Sequence, residues 1–211
     1  MKKIFIVGGF NIYASWIDDA KLVDKLEDAD IVLFTGGEDI DPSFYGEKKH
    51  RTTYSNISRD KIEKEIFEKV DPKKQICLGI CRGSQFLCVM NGGKLIQNVT
   101  GHAMSETHLI TNGRTSIDIT STHHQMQYPF NLPDKDYTLL YWTKGRRSLK
   151  YEMNPITCLS DIPFESEIVL YHKTTNPVCL AIQGHPEMMS KSSGTIEVLN
   201  NLLNKTISEI K

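Results

Sequence analysis

The residues best suited to chemistry lie in Gly79-Ile80-Cys81-Arg82-Gly83-Ser84-Gln85, where a cysteine is flanked by glycines between two apolar runs. Gln75-Ile76-Cys77-Leu78 reads as a short buried strand, and Gln85 to Met90 as a helix stopped by Gly92-Gly93. A residue in such a strand-to-helix turn is forced into a strained backbone conformation, so its neighbours must be small; Gly79 and Gly83 meet that need. The same turn aims the side chain outward at a helix start, where unpaired N–H groups and the helix dipole favour a thiolate. Cys81 therefore reads as a nucleophile. The alternative, a small buried hydrophobe, is the usual fate of a free cysteine and the expectation for Cys77, Cys88, Cys158 and Cys179, which sit within or beside apolar runs.

A cysteine nucleophile needs an imidazole to accept and return its proton, and a third group to orient that imidazole. Of the seven histidines, His185 stands out in Gln183-Gly184-His185-Pro186-Glu187, directly after the apolar run Cys179-Leu180-Ala181-Ile182. A turn at a strand end brings its ring to the sheet edge where Cys81 is expected, and Glu187 can reach back to the far ring nitrogen. Taken alone, His-Pro-Glu also fits an ordinary surface turn. Beside the cysteine elbow it reads as base and orienting acid.

The elements that would hold these groups follow an α/β pattern. Ile4 to Val7 and Ile31 to Phe34 are continuous apolar runs ending in glycine pairs, as expected of strands buried on both faces. Trp16 to Leu26 and Ser58 to Val70 read as helices, the second on the spacing of Ile62, Ile66, Phe67 and Val70. Further on, 115–120, 137–142, 167–171 and 178–183 read as strands, and a helix over 192–207 closes the chain. The segments 100–113 and 145–161 carry weak periodicity and are expected as loops beside the site. Together these predict one three-layer α/β domain over residues 1–211: a mostly parallel central sheet, helices on both faces, and a small antiparallel portion.

The 211 residues are 39 % hydrophobic and 24 % charged, ordinary for a globular chain, and the net charge of -1 supplies no basic field for nucleic acid. No apolar run approaches the ~20 residues that span a bilayer, and Met1-Lys2-Lys3 leads into a strand rather than a signal peptide. Five cysteines without paired spacing argue against a disulfide framework, so a cytoplasmic location is expected. Adjacent His123 and His124 point to opposite faces of an extended chain, and no metal-ligand spacing accompanies them, so no metal is expected; acyl transfer through a cysteine needs no cofactor, and none is expected. Arg146-Arg147, with Lys144 and Lys150, reads either as a solvated turn or as a contact for a phosphorylated substrate part.

The elbow, followed by Gly92-Gly93-Lys94-Leu95-Ile96-Gln97-Asn98-Val99, resembles the class I glutamine amidotransferases, most of all their γ-glutamyl hydrolase branch. Gly36-Gly37-Glu38-Asp39-Ile40-Asp41-Pro42-Ser43-Phe44-Tyr45-Gly46-Glu47, Ser58-Arg59-Asp60, Thr122-His123-His124-Gln125 and His185-Pro186-Glu187 resemble that branch in the same order, over roughly residues 4–200. The resemblance implies the matching fold and hydrolysis of a γ-glutamyl amide through a thioester. Cys81 would be the nucleophile, His185 base and acid, and Glu187 the orienting group. The N–H groups of Gly37 and Arg82 would form the oxyanion hole; Gln85, His123, His124 and Gln125 would bind the glutamyl α-amino and α-carboxylate groups. Thr35 departs from the proline common before the paired glycines, which implies a less rigid oxyanion turn.

The implied partner is a small γ-glutamyl compound, nucleotide-linked by the narrowest form of the resemblance, CDP-L-glutamine of capsule phosphoramidate synthesis. Arg82, Arg146 and Arg147 would then be candidates for its pyrophosphate. No nucleic acid or membrane partner is expected, and an oligomer remains open. Two other classes stay open: a glutaminase subunit passing ammonia to a synthase, and a binding protein with a vestigial site.

Overall fold

The computed structural model describes residues 1–210. Its strands are β1 (Lys2–Val7), β2 (Ala20–Leu22), β3 (Ile31–Phe34), β4 (Ile76–Ile80), β5 (Lys94–Ile96), β6 (Asn98–Val99), β7 (Ala103–Thr111), β8 (Ser116–Thr122), β9 (Met126–Tyr128), β10 (Tyr137–Thr143), β11 (Tyr151–Glu152), β12 (Cys158–Leu159), β13 (Ser166–Tyr171) and β14 (Cys179–Ile182). Its helices are α1 (Ile57–Phe67), α2 (Arg82–Met90) and α3 (Gly194–Ser208). Nine strands form one sheet in the order β2-β1-β3-β4-β14-β13-β10-β7-β8. The run from β2 to β14 is parallel, and from β14 to β8 every pairing is antiparallel. Two small sheets, β12-β11-β6 and β5-β9, flank it.

Successive side chains of a strand point to opposite faces, and the apolar runs therefore feed two cores. Ile31, Leu33, Ile76, Leu78, Leu180 and Ile182 pack on one face with Ile196, Leu199 and Leu203 of α3. Val32, Phe34, Cys77, Cys179 and Ala181 pack on the other with Phe67 of α1 and Phe86 and Leu87 of α2. Continuous hydrophobicity in β3, β4 and β14 is thus the signature of a sheet covered on both sides. Asn56 caps α1 through the Arg59 N–H, and Ser193 caps α3 through the Ile196 N–H, which sets both helix starts.

Several expectations need correction. The stretch 16–26 is not a helix. Trp16 and Ile17 are buried in the α3-side core, and Asn200 of α3 binds the Trp16 carbonyl at 3.0 Å and the Asp18 N–H at 3.0 Å. Asp19 then turns the chain at φ 56°, and β2 pairs with the edge of β1. Nor is 100–113 a loop: β7 pairs with β8 along most of its length, and its inward positions include His108 and Ile110, so a histidine occupies a place where periodicity expects an apolar residue. On α1, Ile62 is 59 % exposed while Asp60 and Glu63 are buried. Cys158 is exposed, unlike buried Cys77, Cys88 and Cys179. The 145–161 segment holds the short β11 and β12 and lies outside the cleft at Cys81.

Candidate active site

Strands β4 and β14 are parallel neighbours in register, with Ile80 opposite Ile182. Cys81 is one residue past that level and His185 three past it, so both emerge at the same C-terminal sheet edge, the usual place for a ligand in an α/β fold. Cys81 adopts φ 51° and ψ -110°, a conformation that L-residues avoid. Its N–H donates to the Ile182 carbonyl at 2.8 Å, and its own carbonyl accepts from the N–H groups of Ser84 and Gln85 and from the Ser84 hydroxyl. These contacts offset the strain and hold the turn. A methyl group on Gly79 would lie 2.5 Å from the Gly83 carbonyl oxygen, and one on Gly83 would overlap the Phe34 carbonyl. The glycines are therefore required by backbone approach, as the elbow pattern predicts.

The His185 Nδ1–H donates to Glu187 Oε1 at 2.6 Å, leaving Nε2 for the sulfur, and the Thr120 hydroxyl accepts from the His185 N–H at 2.6 Å. Burial by itself would lower the basicity of His185. The Cys81 sulfur and the Glu187 carboxylate outweigh burial and raise its pKa to about 10. The ring is thus an imidazolium at neutral pH, a cation held between sulfur and carboxylate. Cys81 is partly exposed at the floor of a cleft also lined by Gly37, Arg82, Gln85 and the 122–125 loop.

The turn bearing Gly37 is braced from α1. Arg59 donates to the Gly36 carbonyl at 2.9 Å and to the Thr35 hydroxyl at 3.2 Å, while Thr35 donates to the Val7 carbonyl at 3.2 Å. Thr35 thus gains by hydrogen bonding the stiffness expected to be lost with proline. Arg82 carries a correction. Its side chain is 2 % exposed and its guanidinium pairs with Asp60 and Glu63 of α1, so only its backbone is available to the cleft. Arg146 pairs with Asp161, and Arg147 donates to the Gly101 carbonyl at 2.7 Å; neither lines the Cys81 cleft.

The four residues assigned to the substrate behave differently from one another. Gln85 is buried and donates to the Gln125 carbonyl at 3.0 Å. Gln125 is buried and donates to Thr53 at 3.0 Å. His124 faces the cleft with a side chain 37 % exposed, 3.1 Å from Asp39. His123 turns the other way: its ring packs 4.7 Å from that of His102, and burial lowers its pKa to about 3. Tyr13 was not legible as a site residue, because only the folded chain brings it near His185, with ring centroids 6.2 Å apart. Burial, then Glu187 and Cys81, raise its phenol pKa. Glu38 and Asp39 add negative charge at the cleft wall.

The peptidase C26 family profile matches residues 1–133, which include Cys81 and the 122–125 loop and end before His185. A glutamine amidotransferase-like protein of Rickettsia prowazekii is 37 % identical over 99 residues, 46 % of this chain and 34 % of that one. Another, from Lactococcus lactis, is 31 % identical over 110 residues, 48 % of this chain and 45 % of its own. The matches span about a third to a half of these curated relatives. A Thermotoga maritima glutamine amidotransferase superposes with TM-score 0.57 at 14 % identity, covering 99 % of this chain and 97 % of that one. PurLQS from the same organism gives 0.59 at 17 % identity, with 100 % of both chains covered. The architecture is that of the class I glutamine amidotransferases. The chain belongs to the peptidase C26 family.

Proposed function

We propose that the protein is a cysteine-dependent amide hydrolase that cleaves a γ-glutamyl amide and releases L-glutamate. The observation that carries this reading is Cys81 on a strained turn at the sheet edge that also presents His185, whose far nitrogen is bound to Glu187. The Cys81 sulfur attacks the γ-carbonyl carbon, and the oxygen that gains charge is met by the N–H groups of Gly37 and Arg82, donors already fixed by the two turns. The imidazolium of His185 gives its proton to the departing nitrogen as the C–N bond breaks, leaving a γ-glutamyl thioester. Water then loses a proton to the neutral imidazole while its oxygen attacks the thioester; the C–S bond breaks, glutamate is freed with its γ-carboxyl proton passing to solvent, and the sulfur is left beside the imidazolium as at the start. Glu187 keeps the ring in the tautomer that faces sulfur and stabilises its cationic form. Glu38 and Asp39 suit the α-ammonium group, with Gln85, His124 and Gln125 placed to hold the rest of the glutamyl head.

The finer reading is that the leaving group is a cytidine diphosphoramidate, with CDP-L-glutamine as substrate and capsule modification as the setting. It rests on the sequence resemblance alone, and the Arg82, Arg146 and Arg147 side chains do not add to it. The test is glutamate release by the purified chain from CDP-L-glutamine, simple γ-glutamyl amines and glutamine, with Cys81→Ala as control. Hydrolysis of γ-glutamyl amides that vanishes in Cys81→Ala is the expected result. Equal kcat/KM for CDP-L-glutamine and simple amines removes the nucleotide, glutamine as sole substrate favours a synthase-linked glutaminase, and turnover surviving in Cys81→Ala overturns the mechanism. A cysteine nucleophile survives best in a reducing compartment, which is the location we propose. Among the described residues no helix is long and apolar enough to cross a membrane.

A further inference from the structure

Behind the 122–125 loop, on the side away from Cys81, three histidines and two glutamates meet in the interior. His102 precedes β7, His108 lies on β7, His123 follows β8, Glu165 precedes β13 and Glu167 lies on β13; all five are buried. The hydrogen bonds fix the tautomers. His123 Nδ1 is 2.8 Å from the Gln125 carbonyl, which can only accept, so Nδ1 carries the hydrogen and Nε2 presents a lone pair. That Nε2 has no hydrogen-bond partner among the described residues and faces Glu167 Oε1 at 4.0 Å. His102 Nε2 donates to Glu165 Oε2 at 3.1 Å, which turns its Nδ1 lone pair toward the same Glu167 oxygen at 3.6 Å. Glu167 Oε2 also lacks a partner. Glu167 Oε1 accepts from His108 Nε2 at 2.9 Å and Thr143 Oγ1 at 3.0 Å, and His102 Nδ1 has only a long contact to the Ser121 hydroxyl at 3.5 Å. His123 Nε2 and Glu167 Oε2 are thus left as buried acceptors without a partner among the described residues, a costly arrangement in the interior.

We propose that His102, His123 and Glu167 bind a divalent transition-metal ion of the zinc type. Their ligand atoms lie within 4.8 Å of one another, and tetrahedral zinc with ~2.0–2.2 Å bonds needs ligand atoms about 3.3–3.6 Å apart, so small side-chain movements close the site. The outer contacts match those that orient metal-bound imidazoles: a backbone carbonyl on the far nitrogen of His123 and a carboxylate on that of His102. Two imidazoles and a carboxylate suit zinc better than magnesium or calcium. The three protein ligands are buried and leave the fourth tetrahedral position to a water; the ion ties the β8 end and the loop carrying His124 and Gln125 to β13. The adjacent His123-His124 pair gave no metal signal in sequence because its two rings serve different sites and the other ligands are distant in the chain.

The test uses the full chain carrying Cys81→Ala, so that the catalytic thiol cannot capture metal. After chelator treatment and gel filtration, added Zn2+ is expected to be retained at about one per chain and to raise Tm. Co2+ is expected to give a tetrahedral visible spectrum without thiolate bands and to shift the imidazole resonances of His102 and His123. His123→Gln should abolish retention while remaining folded by circular dichroism. If that variant does not fold, the Co2+ shifts decide. Retention below a tenth of an equivalent, undiminished retention in folded His123→Gln, or shifts confined to His50, His124, His172 or His185 would overturn the proposal. None of these readouts depends on the hydrolase reading.

Discussion

Arg82 tests whether the elbow is held from beneath. Replacing it with Met keeps much of its length and removes the charge, leaving the Asp60 and Glu63 carboxylates buried without the guanidinium that pairs with both. Removing one partner of a buried ion pair costs about 3–5 kcal/mol. Two acids are orphaned here, but neither is bare: Glu63 keeps Arg59 at 2.8 Å, and Asp60 keeps the Asp41 N–H at 2.9 Å. The single-pair range therefore stands for the whole change. At ~2–4 °C per kcal/mol for a chain of this size, Tm should fall by about 6–20 °C in thermal unfolding followed by circular dichroism at pH 7.5. Acid should narrow the gap. Burial, more than any other influence, already holds the Asp60 pKa above its ordinary value, and loss of Arg82 raises it further. A carboxyl whose folded pKa exceeds its unfolded ~3.9 is stabilised in its protonated form, so the deficit is largest near neutrality and shrinks as pH falls toward the folded value. Adding Asp60→Asn and Glu63→Gln should recover much of the loss, because the uncompensated charges are gone. A Tm unchanged in Arg82→Met together with a raised KM would refute this, placing the guanidinium on substrate instead.

Four further outcomes follow from the same geometry. Gly83→Ala drives a methyl into the Phe34 carbonyl, so backbone must move and stability should fall by about 3 kcal/mol or more, read by denaturant titration; an unchanged midpoint contradicts the close approach. In the parent chain His185 should titrate near its raised value of about 10 by imidazole 15N NMR, and Cys81→Ala should lower it, since the sulfur is the leading group that raises it. Because that value exceeds the ~6.5 of a free imidazole, the protonated ring stabilises the fold fully below ~6.5, and the contribution disappears as pH rises through the folded pKa. Glu187→Gln should cost less turnover than His185→Ala in a glutamate-release assay, because it orients and stabilises the ring without transferring the proton; the reverse order would reassign the base.

The contrast between β4 and β7 explains what the sequence could reveal. In β4, β3 and β14 every side chain meets hydrocarbon above or below, so an unbroken apolar run identifies the strand and the glycines after it identify the edge. The meeting of Cys81, His185 and Glu187 at that edge was legible because strand ends there run into tight turns, and tight turns leave glycine and proline in the chain. In β7 the inward face carries His108, and just before the strand lies His102, so polar residues occupy core positions and the alternation vanishes from hydropathy. The same substitution of polar for apolar hid the inner face of α1, where Asp60 and Glu63 turn inward to meet Arg82 while Ile62 faces solvent. In both places the buried polar groups belong to contacts between distant segments, α1 with α2 and β7 with β13, which no local pattern encodes. On α1 and β7 the structure puts a charge or an imidazole where the pattern expects an aliphatic side chain; on α1 those groups hold Arg82, the residue that follows Cys81, and on β7 His108 ties the strand to Glu167 of β13.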